Sequence, residues 1–300
     1  MNRRPNTPPT WRLTDDVEEF RRAAGAHLAA DAARHTILLT VSESLRTGGA
    51  GAGGAGPVRF GWWREAPDAP VTGAFVETPP HPPFLGTMPA RAAAELARTL
   101  GGTPAADGTL PSGVRGRVAD VEAFGAAWPV RRTGAADAPP YQLADGMRLF
   151  RLGEPVPPDP APEGRARYAE SRDIALAVEW LTAFAEEIGE PAGTDRRANA
   201  VARIEDRRLL LWEVDGAPVS LAGHAPLIAG QIRVAPVYTP PAHRGRGYAA
   251  GVTAAVGEAA RQAGADEVLL FADHANPTAN ALYQRLGYRP VEEYATARLA

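Results

Sequence analysis

The segment that most restricts the fold of this chain is residues 233–250. Its first part is rich in Val, Tyr and Thr and predicts an extended strand, which Pro240 and Pro241 end because neither can donate to a sheet ladder. The run Arg-Gly-Arg-Gly-Tyr-Ala follows, and the Ala, Val and Glu residues after it favour a helix. The predicted order is therefore strand, Arg-Gly turn, helix.

A turn of this kind at the start of a helix favours an anionic ligand. Unpaired backbone amides and the positive end of the helix dipole meet there. Gly245 and Gly247 let the backbone approach a bulky anion, and Arg244 and Arg246 supply two guanidinium groups. The segment predicts a site for a phosphate or pyrophosphate group.

This turn and a second motif resemble those of the GNAT superfamily of acyl-CoA-dependent N-acyltransferases. The pyrophosphate loop of that family reads Gln/Arg-x-x-Gly-x-Gly/Ala, which Arg244, Gly247 and Ala249 satisfy in full. One strand later, residues 273–283 read Asp-His-Ala-Asn-Pro-Thr-Ala-Asn-Ala-Leu-Tyr, where the family places its cofactor-binding Asn and its Tyr. The resemblance covers roughly the C-terminal half of the chain.

The resemblance implies an α/β (α+β) GNAT fold, with a mixed central sheet flanked by helices. Along the C-terminal half we predict a helix pair, antiparallel strands, the cofactor strand and helix, then strand, helix and strand, which is the order of that fold. A chain of 300 residues exceeds a usual single domain. We predict a catalytic N-acetyltransferase domain over 138–300 and an auxiliary α/β domain over 1–137, for which a degenerate GNAT-like domain is one interpretation.

The cofactor implied by the resemblance is acetyl-CoA (coenzyme A). Free backbone groups of Val237 and Thr239 would bind its pantetheine, and an amide near Val237 would be the oxyanion donor. Tyr238 lies on the same cofactor strand, but strand alternation turns its side chain to the opposite face, which predicts packing. Asn276, which also suits a helix N-cap, and Asn280 would bind the cofactor chain. The pyrophosphate would be held by the turn, which comprises Arg244, Gly245, Arg246, Gly247, Tyr248 and Ala249.

The implied reaction is direct attack of a neutral amine on the acetyl-CoA thioester in a ternary complex. Tyr283 occupies the position from which this family often protonates the sulfur of coenzyme A, and it would also contact the cofactor. His243 and His274 lie beside the two motifs and are expected to touch phosphate or adenine.

The general base is left open by the sequence. Many relatives carry a Glu on the cofactor strand or its neighbour, a role that Gln231, Arg233 and Ala235 cannot fill. His224 and Glu213 are the remaining candidates, and a water-mediated route is equally open. An imidazole has an ordinary pKa near ~6.5, which suits the task.

Composition excludes several other kinds of chemistry. The chain has no Cys, which removes disulfides, thiolate metal sites and a cysteine acyl-enzyme. All 32 basic residues are Arg, and without Lys there is neither a Walker-type phosphate loop nor a Schiff base. The six His residues lack metal-ligand spacing, so no metal site is predicted, and no Ser has the context of a hydrolase nucleophile.

The net charge of −3 argues against nucleic acid or a membrane as the main partner. No apolar run approaches the ~20 residues of a membrane span, so a cytoplasmic protein is expected. We expect a small-molecule amine rather than a protein lysine as acceptor, because an auxiliary domain over the cleft would obstruct a long polypeptide. The sequence leaves a homodimer open. Two alternatives to an enzyme are a non-catalytic acyl-CoA-binding regulatory module, motivated by the missing strand carboxylate, and a nucleic-acid binder, which the near-neutral charge opposes.

Overall fold

A computed structural model describes residues 10–48, 56–105, 108–129, 139–190 and 195–300, and divides the chain into two compact units. Unit 1 takes in most of the described residues up to Gly146, together with Glu293–Ala300, and unit 2 is formed mainly by Met147–Glu292. The domain boundary predicted between residues 137 and 138 and most of the glycine-rich loop at 48–57 lie outside the described residues.

Unit 1 contains β1 (Thr10–Thr14), α1 (Val17–Ala30), α2 (Thr36–Arg46), β2 (Arg59–Arg64), β3 (Val71–Glu77), β4 (Phe84–Leu85), α3 (Ala90–Gly102), β5 (Gly113–Arg117), α4 (Val118–Ala126) and the start of β6 (Tyr141–Leu152). Its strands follow the order β1-β2-β3-β4-β5, antiparallel except for the parallel pair β4 and β5. The last strand of the chain, β12 (Tyr288–Leu299), pairs antiparallel with β5 through residues 294–298.

Unit 2 contains β7 (Arg165–Tyr168), a 3-10 turn (Ser171–Asp173), α5 (Ile174–Glu187), α6 (Arg196–Glu205), β8 (Leu209–Val214), β9 (Ala217–His224), β10 (Gln231–Tyr238), a 3-10 turn (Pro241–His243), α7 (Tyr248–Gln262), β11 (Glu267–Asp273) and α8 (Pro277–Arg285). The strand order is β7-β8-β9-β10-β11, and only β10 and β11 are parallel. β6 completes this sheet, because residues 147–151 pair antiparallel with β11.

The chain repeats one order of elements twice. Strand, two helices, three strands, helix, strand, helix and strand run from β1 to β6 and again from β7 to β12. In both repeats the fourth and fifth strands form the parallel pair. The mixed α/β architecture predicted from the sequence is confirmed, and the N-terminal half has the same element order as the half that carries the motifs.

Unit 2 is built by strands that are apolar on both faces. Leu209 and Leu211 of β8 pack with α5 and α6, whereas Leu210 between them packs with α7 and α8. This is the period of two expected of a strand between two helix layers. Helices therefore cover both faces of β8.

Unit 1 lacks a counterpart of the Arg-Gly turn. β4 ends at Leu85 and α3 begins at Ala90, so only four residues, all of them described, separate strand from helix. Leu85 also lies against Gly116 of β5, where an added Cβ would stand 2.9 Å from the Leu85 Cβ. The two parallel strands of unit 1 are thus in close contact at this point.

A buried histidine joins three segments of unit 1. His35 is 1% exposed, and its Nε2 accepts hydrogen bonds from the Thr87 amide (3.1 Å) and lies 2.9 Å from Thr87 Oγ1. Its Nδ1 therefore carries the proton and donates to the Leu28 carbonyl (3.2 Å). Burial, and then the neighbouring His27, lower the pKa of His35 to about 4.

We expect the folded chain to lose stability as the pH falls from about 6.5 towards 4. The unfolded His35 binds a proton with its ordinary pKa of ~6.5, whereas the folded one resists protonation until about 4, a difference worth roughly 3 kcal/mol. Urea midpoints measured between pH 7.5 and 4.5 test this. The urea midpoint of His35→Gln should be lower than that of the parent at pH 7.5 and should fall less between pH 7.5 and 4.5. The midpoint of His27→Gln should keep most of the parental fall. An unchanged decline in His35→Gln would contradict the assignment.

Candidate functional site

The central feature of unit 2 is the separation of its two parallel strands. β10 pairs with β11 only through residues 231–234. Beyond that point Val237 and Tyr238 lie opposite Ala222 and Leu221 of β9, while β11 continues beside β6 as far as Asp273. A gap therefore opens between β10 and β11 towards their carboxyl ends, which is where open α/β sheets bind ligands.

A bulge in β10 accompanies this separation. The register with β9 shifts between Val234 and Val237. In a regular strand Val234 and Tyr238 would share a face, yet Val234 packs on the α7 side and Tyr238 on the α5 side. Tyr238 is consequently buried, with its ring 6.4 Å from that of Trp180, and Val237 packs towards α7.

The end of β10 is held by side chains from two other segments. Ser220 Oγ donates to the Tyr238 carbonyl (2.9 Å) and lies 2.8 Å from Thr239 Oγ1. Arg244 Nε donates to the Thr239 carbonyl (2.9 Å), and Arg244 Nη2 forms an ion pair with Glu187 of α5 (2.6 Å). The strand end is thus fixed before the turn begins.

The Arg-Gly turn, residues 244–249, contains two glycines with a left-handed backbone. Gly245 (φ 78°) and Gly247 (φ 80°) are both left-handed, a conformation that other residues adopt only with strain. Gly247 is the N-cap of α7, and no side chain caps this helix end. The first amides of α7 are therefore available to an anion, as at other helix N-termini. Arg246 beside them is exposed.

One side of the turn is covered by the segment that precedes β7. A Cβ on Gly247 would lie 3.3 Å from Pro162, and one on Gly251 would lie 2.9 Å from Pro162 and 2.8 Å from Trp212. Trp212 Nε1 donates to the Glu163 carbonyl (2.8 Å), which anchors the segment. Residues 162–163 therefore lie on the first turn of α7, and this contact explains why Gly251 has no side chain.

The two asparagines of the second motif organise the turn between β11 and α8. Asn276 Oδ1 accepts the Ala279 amide (2.9 Å), which is the N-cap bond that the sequence predicted. Asn280 Nδ2 donates to the carbonyls of Asp273 (2.7 Å) and Asn276 (2.8 Å), and its Oδ1 is buried without a hydrogen-bond partner. Both side chains shape this turn, and their contact with a cofactor stays a prediction.

Tyr283 of α8 lies in the same apolar cluster as Val237. Its ring centroid is 6.4 Å from Phe150 and 6.0 Å from Tyr288, and the residue is 9% exposed. Within the described residues its hydroxyl has no hydrogen-bond partner, and burial raises the pKa of Tyr283 to about 12. The phenol stays protonated at neutral pH and is available as a donor.

His224 ends β9 directly opposite Val234, the last residue of β10 that pairs with β11. Its Nδ1 lies 2.8 Å from the Ala225 carbonyl, which can only accept, so Nδ1 carries the proton and Nε2 the lone pair. Burial and, to a smaller extent, Arg208 and Arg203 lower the pKa of His224, opposed by the Ala225 hydrogen bond. His224 is therefore a neutral imidazole at the level where the strands separate.

Glu213, the other candidate base, is already engaged. Its carboxylate forms an ion pair with Arg167 (3.1 Å), which also binds Asp173 (2.6 Å), and its side chain is 12% exposed. If Glu213 left this pair to act as a base, the largely buried Arg167 guanidinium would keep only the Asp173 carboxylate as its partner. The network joins β7 and β8 and gives Glu213 a structural role.

Sequence reasoning missed Arg203 of α6. Its Nη1 donates to the carbonyls of Ala235 (2.8 Å) and His224 (3.3 Å), and its Nε donates to Asn199 (2.8 Å). Burial, and then the nearby Arg208, lower the pKa of Arg203 to about 9. Arg203 thus attaches α6 to the bulge in β10, a long-range contact for which the sequence holds no local signal.

Among the described residues, no cluster of three or more His, Asp or Glu side chains could hold a metal ion. In the same part of the chain, no helix is both long and apolar enough to cross a bilayer.

Comparison with known proteins agrees with this geometry. The model of the acetyltransferase (GNAT) family matches residues 174–288. A mycothiol acetyltransferase of Salinispora tropica is 30% identical over 288 residues, which is 91% of this chain and 89% of that protein. The chain belongs to the GNAT acetyltransferase family. It is accordingly an acyltransferase of the N-acetyltransferase type.

Solved structures show that the GNAT fold extends over most of this acetyltransferase. A GNAT-family acetyltransferase from Colwellia psychrerythraea is 10% identical, with 97% of this chain and 100% of that one covered and a TM-score of 0.62. A GCN5-related N-acetyltransferase from Sphaerobacter thermophilus is 19% identical, with 97% and 95% covered and a TM-score of 0.58. Because these matches span both halves, they agree with a GNAT-like N-terminal unit beside the one that holds the motifs.

Proposed function

We propose that this GNAT acetyltransferase transfers an acetyl group from acetyl-CoA to the primary amine of a small molecule. One observation carries the proposal: the gap between β10 and β11 and the uncapped start of α7 occur together in unit 2. The gap suits an extended pantetheine chain, and the helix start suits its pyrophosphate. The family uses this cofactor, which supports the assignment.

In this proposal the cofactor takes the place of β11 beside the outer part of β10. Backbone groups of Val237 and Thr239 pair with pantetheine, and the amides of residues 244–249 bind the pyrophosphate. Arg246 is exposed and reaches the phosphates directly. Arg244 is held by Glu187 and the Thr239 carbonyl, so it contributes its charge from a fixed position.

The chemistry is direct attack of the amine on the thioester carbonyl in a ternary complex. A backbone amide near Val237 stabilises the oxyanion. Tyr283, with a pKa of about 12, donates a hydrogen bond to the departing sulfur. Full proton transfer from such a phenol to a thiolate with an ordinary pKa of ~8.5 is unfavourable, so Tyr283 acts chiefly by stabilising the thiolate.

His224 is the proposed base, acting directly or through one water. Its neutral ring offers Nε2 as the acceptor, at the level of β10 where the gap begins. With Glu213 bound to Arg167, His224 is the better placed of the two candidates.

The acceptor is proposed from chemistry and from the relative. The similarity to a mycothiol acetyltransferase favours a small-molecule acceptor over a protein lysine. The decisive experiment incubates the protein with acetyl-CoA and a panel of small primary amines that includes the acceptor of mycothiol acetyltransferase, and monitors thiol release. If acetyl-CoA binds but no amine of the panel gives thiol release, the proposal of a small-molecule amine acceptor is wrong.

Gly247→Val should weaken acetyl-CoA binding at least about tenfold, because the side chain forces the turn out of its left-handed backbone and meets Pro162. Gly216→Val is the matched control. Gly216 has nearly the same φ (79°) in the β8–β9 hairpin, with open space around an added Cβ. Calorimetry should show parental affinity for the control. Equal losses in both variants would mean that the effect is general destabilisation.

Tyr283→Phe should lower kcat by about tenfold or more and leave the KM for acetyl-CoA within about threefold, because the hydroxyl acts on the departing sulfur. Tyr288→Phe removes the hydroxyl of the neighbouring buried ring, 6.0 Å away, and should keep the parental kcat. Steady-state kinetics on both variants measure this difference. Similar kcat values for the two would remove Tyr283 from the mechanism.

The pH profile of kcat/KM tests His224. Because burial lowers the pKa of His224, the neutral base should persist at neutral pH, and the rate should fall only at a pH below the ordinary imidazole pKa of ~6.5. His224→Gln should have a kcat/KM about tenfold or more lower at pH 7.5. Its profile should also lack the fall at acid pH that is attributed to His224. An acid limb that persists unchanged in the variant would assign it to another group.

A further inference from the structure

A second basic site lies along α8 in unit 2. A cavity of about 520 Å³ is lined by Arg148 of β6, by His274 in the turn after β11, and by Arg285 of α8. The rest of its lining is neutral, and no carboxylate contributes to it. We call this cavity the α8 pocket. Its side chains favour a ligand with negative charge.

The α8 pocket lies at the same edge of the sheet as the Arg-Gly turn. β10 and β11 are parallel, so the turn after β10 and His274 after β11 meet at their carboxyl ends. Arg148 pairs opposite Ala272 on the far side of β11. Where β10 and β11 still pair, two strand spacings, roughly 10 Å, separate β10 from β6, and the gap adds to this distance at the level of Arg148.

Guanidinium groups are the main donors that this pocket offers to an anion. Pro277 has no amide hydrogen, and the Ala279 amide already donates to Asn276. Arg285 is exposed and has no ion pair or hydrogen bond within the described residues. The Arg148 guanidinium lies over the Phe150 ring at 5.9 Å, within the range of a cation–π contact.

We propose that the α8 pocket binds the 3′-phosphate of coenzyme A, with Arg285 and Arg148 as its principal ligands. The inference rests on the proposed cofactor. Coenzyme A carries a pyrophosphate and, on its ribose, a separate phosphate monoester. The monoester bears a charge of about −1.5 to −2 near neutral pH, and planar guanidinium groups bind it well. The turn then holds the pyrophosphate while the α8 pocket holds the 3′-phosphate.

The test compares acetyl-CoA with acetyl-dephospho-CoA, which lacks only the 3′-phosphate. Calorimetry on the parent should show a preference of about tenfold or more for acetyl-CoA, since hydrogen bonds between charged groups exceed neutral ones. Arg285→Gln should reduce that preference to about threefold or less. Its affinity for acetyl-dephospho-CoA should remain parental, which also shows that the variant is folded.

Arg197→Gln is the matched control, because Arg197 is an exposed arginine of α6 outside the pocket lining. It removes the same charge and should keep the parental preference. If Arg197→Gln lost as much of the preference as Arg285→Gln, net charge alone would explain the effect. That result would overturn the proposal.

Four further outcomes overturn the proposal in distinguishable ways. If the parent binds both cofactors with equal affinity, the 3′-phosphate makes no contact in the α8 pocket, although acetyl-CoA still binds. A preference that survives both Arg285→Gln and Arg148→Gln places the contact elsewhere. If inorganic phosphate binds at these arginines while the parent does not discriminate, the pocket serves a different phosphate ligand. Binding of neither cofactor would reject the proposed function together with this inference.

Discussion

The separation of β10 from β11 is the constraint on which the rest of unit 2 depends. Backbone amides and carbonyls that lie inside a protein without partners cost free energy, so a strand normally keeps its neighbour. Here the outer part of β10 keeps β9 on one side and loses β11 on the other. In the proposed complex, the amide groups of pantetheine lie along the edge so exposed.

Three side-chain contacts hold β10 in place beside that gap. Arg203 binds the Ala235 carbonyl at the bulge, Ser220 binds the Tyr238 carbonyl, and Arg244 binds the Thr239 carbonyl. Each contact fixes β10 from a different element. A preorganised strand of this kind places an oxyanion donor without reorganisation during the reaction, which is the main electrostatic contribution in acyl transfer.

The N-terminal unit has the same element order, but its described residues form no such gap between the two parallel strands. Its β4 has two residues, only four residues lead from it to α3, and Leu85 lies against Gly116 of β5. Repetition of an order of strands and helices therefore does not repeat a site, because the site needs the bulge, the gap and the turn together. In unit 1 the corresponding place is held by the buried His35 and its bonds to Thr87.

The sequence by itself determined the features whose causes are local. The Arg-Gly run predicts an anion-binding turn between a strand and a helix, and Asn276 predicts a helix cap. The short strands β1, β4, β5 and β7 were not predicted. The apolar residues within 35–41 suit either a buried strand or a helix end, and most of this segment lies in α2, because pairing and packing rather than propensity decide such segments. Only the tertiary structure decided the bulge that buries Tyr238, the neutral state of His224, the reach of Arg203 and the pairing of β6 with β11, because each depends on residues far apart in the chain.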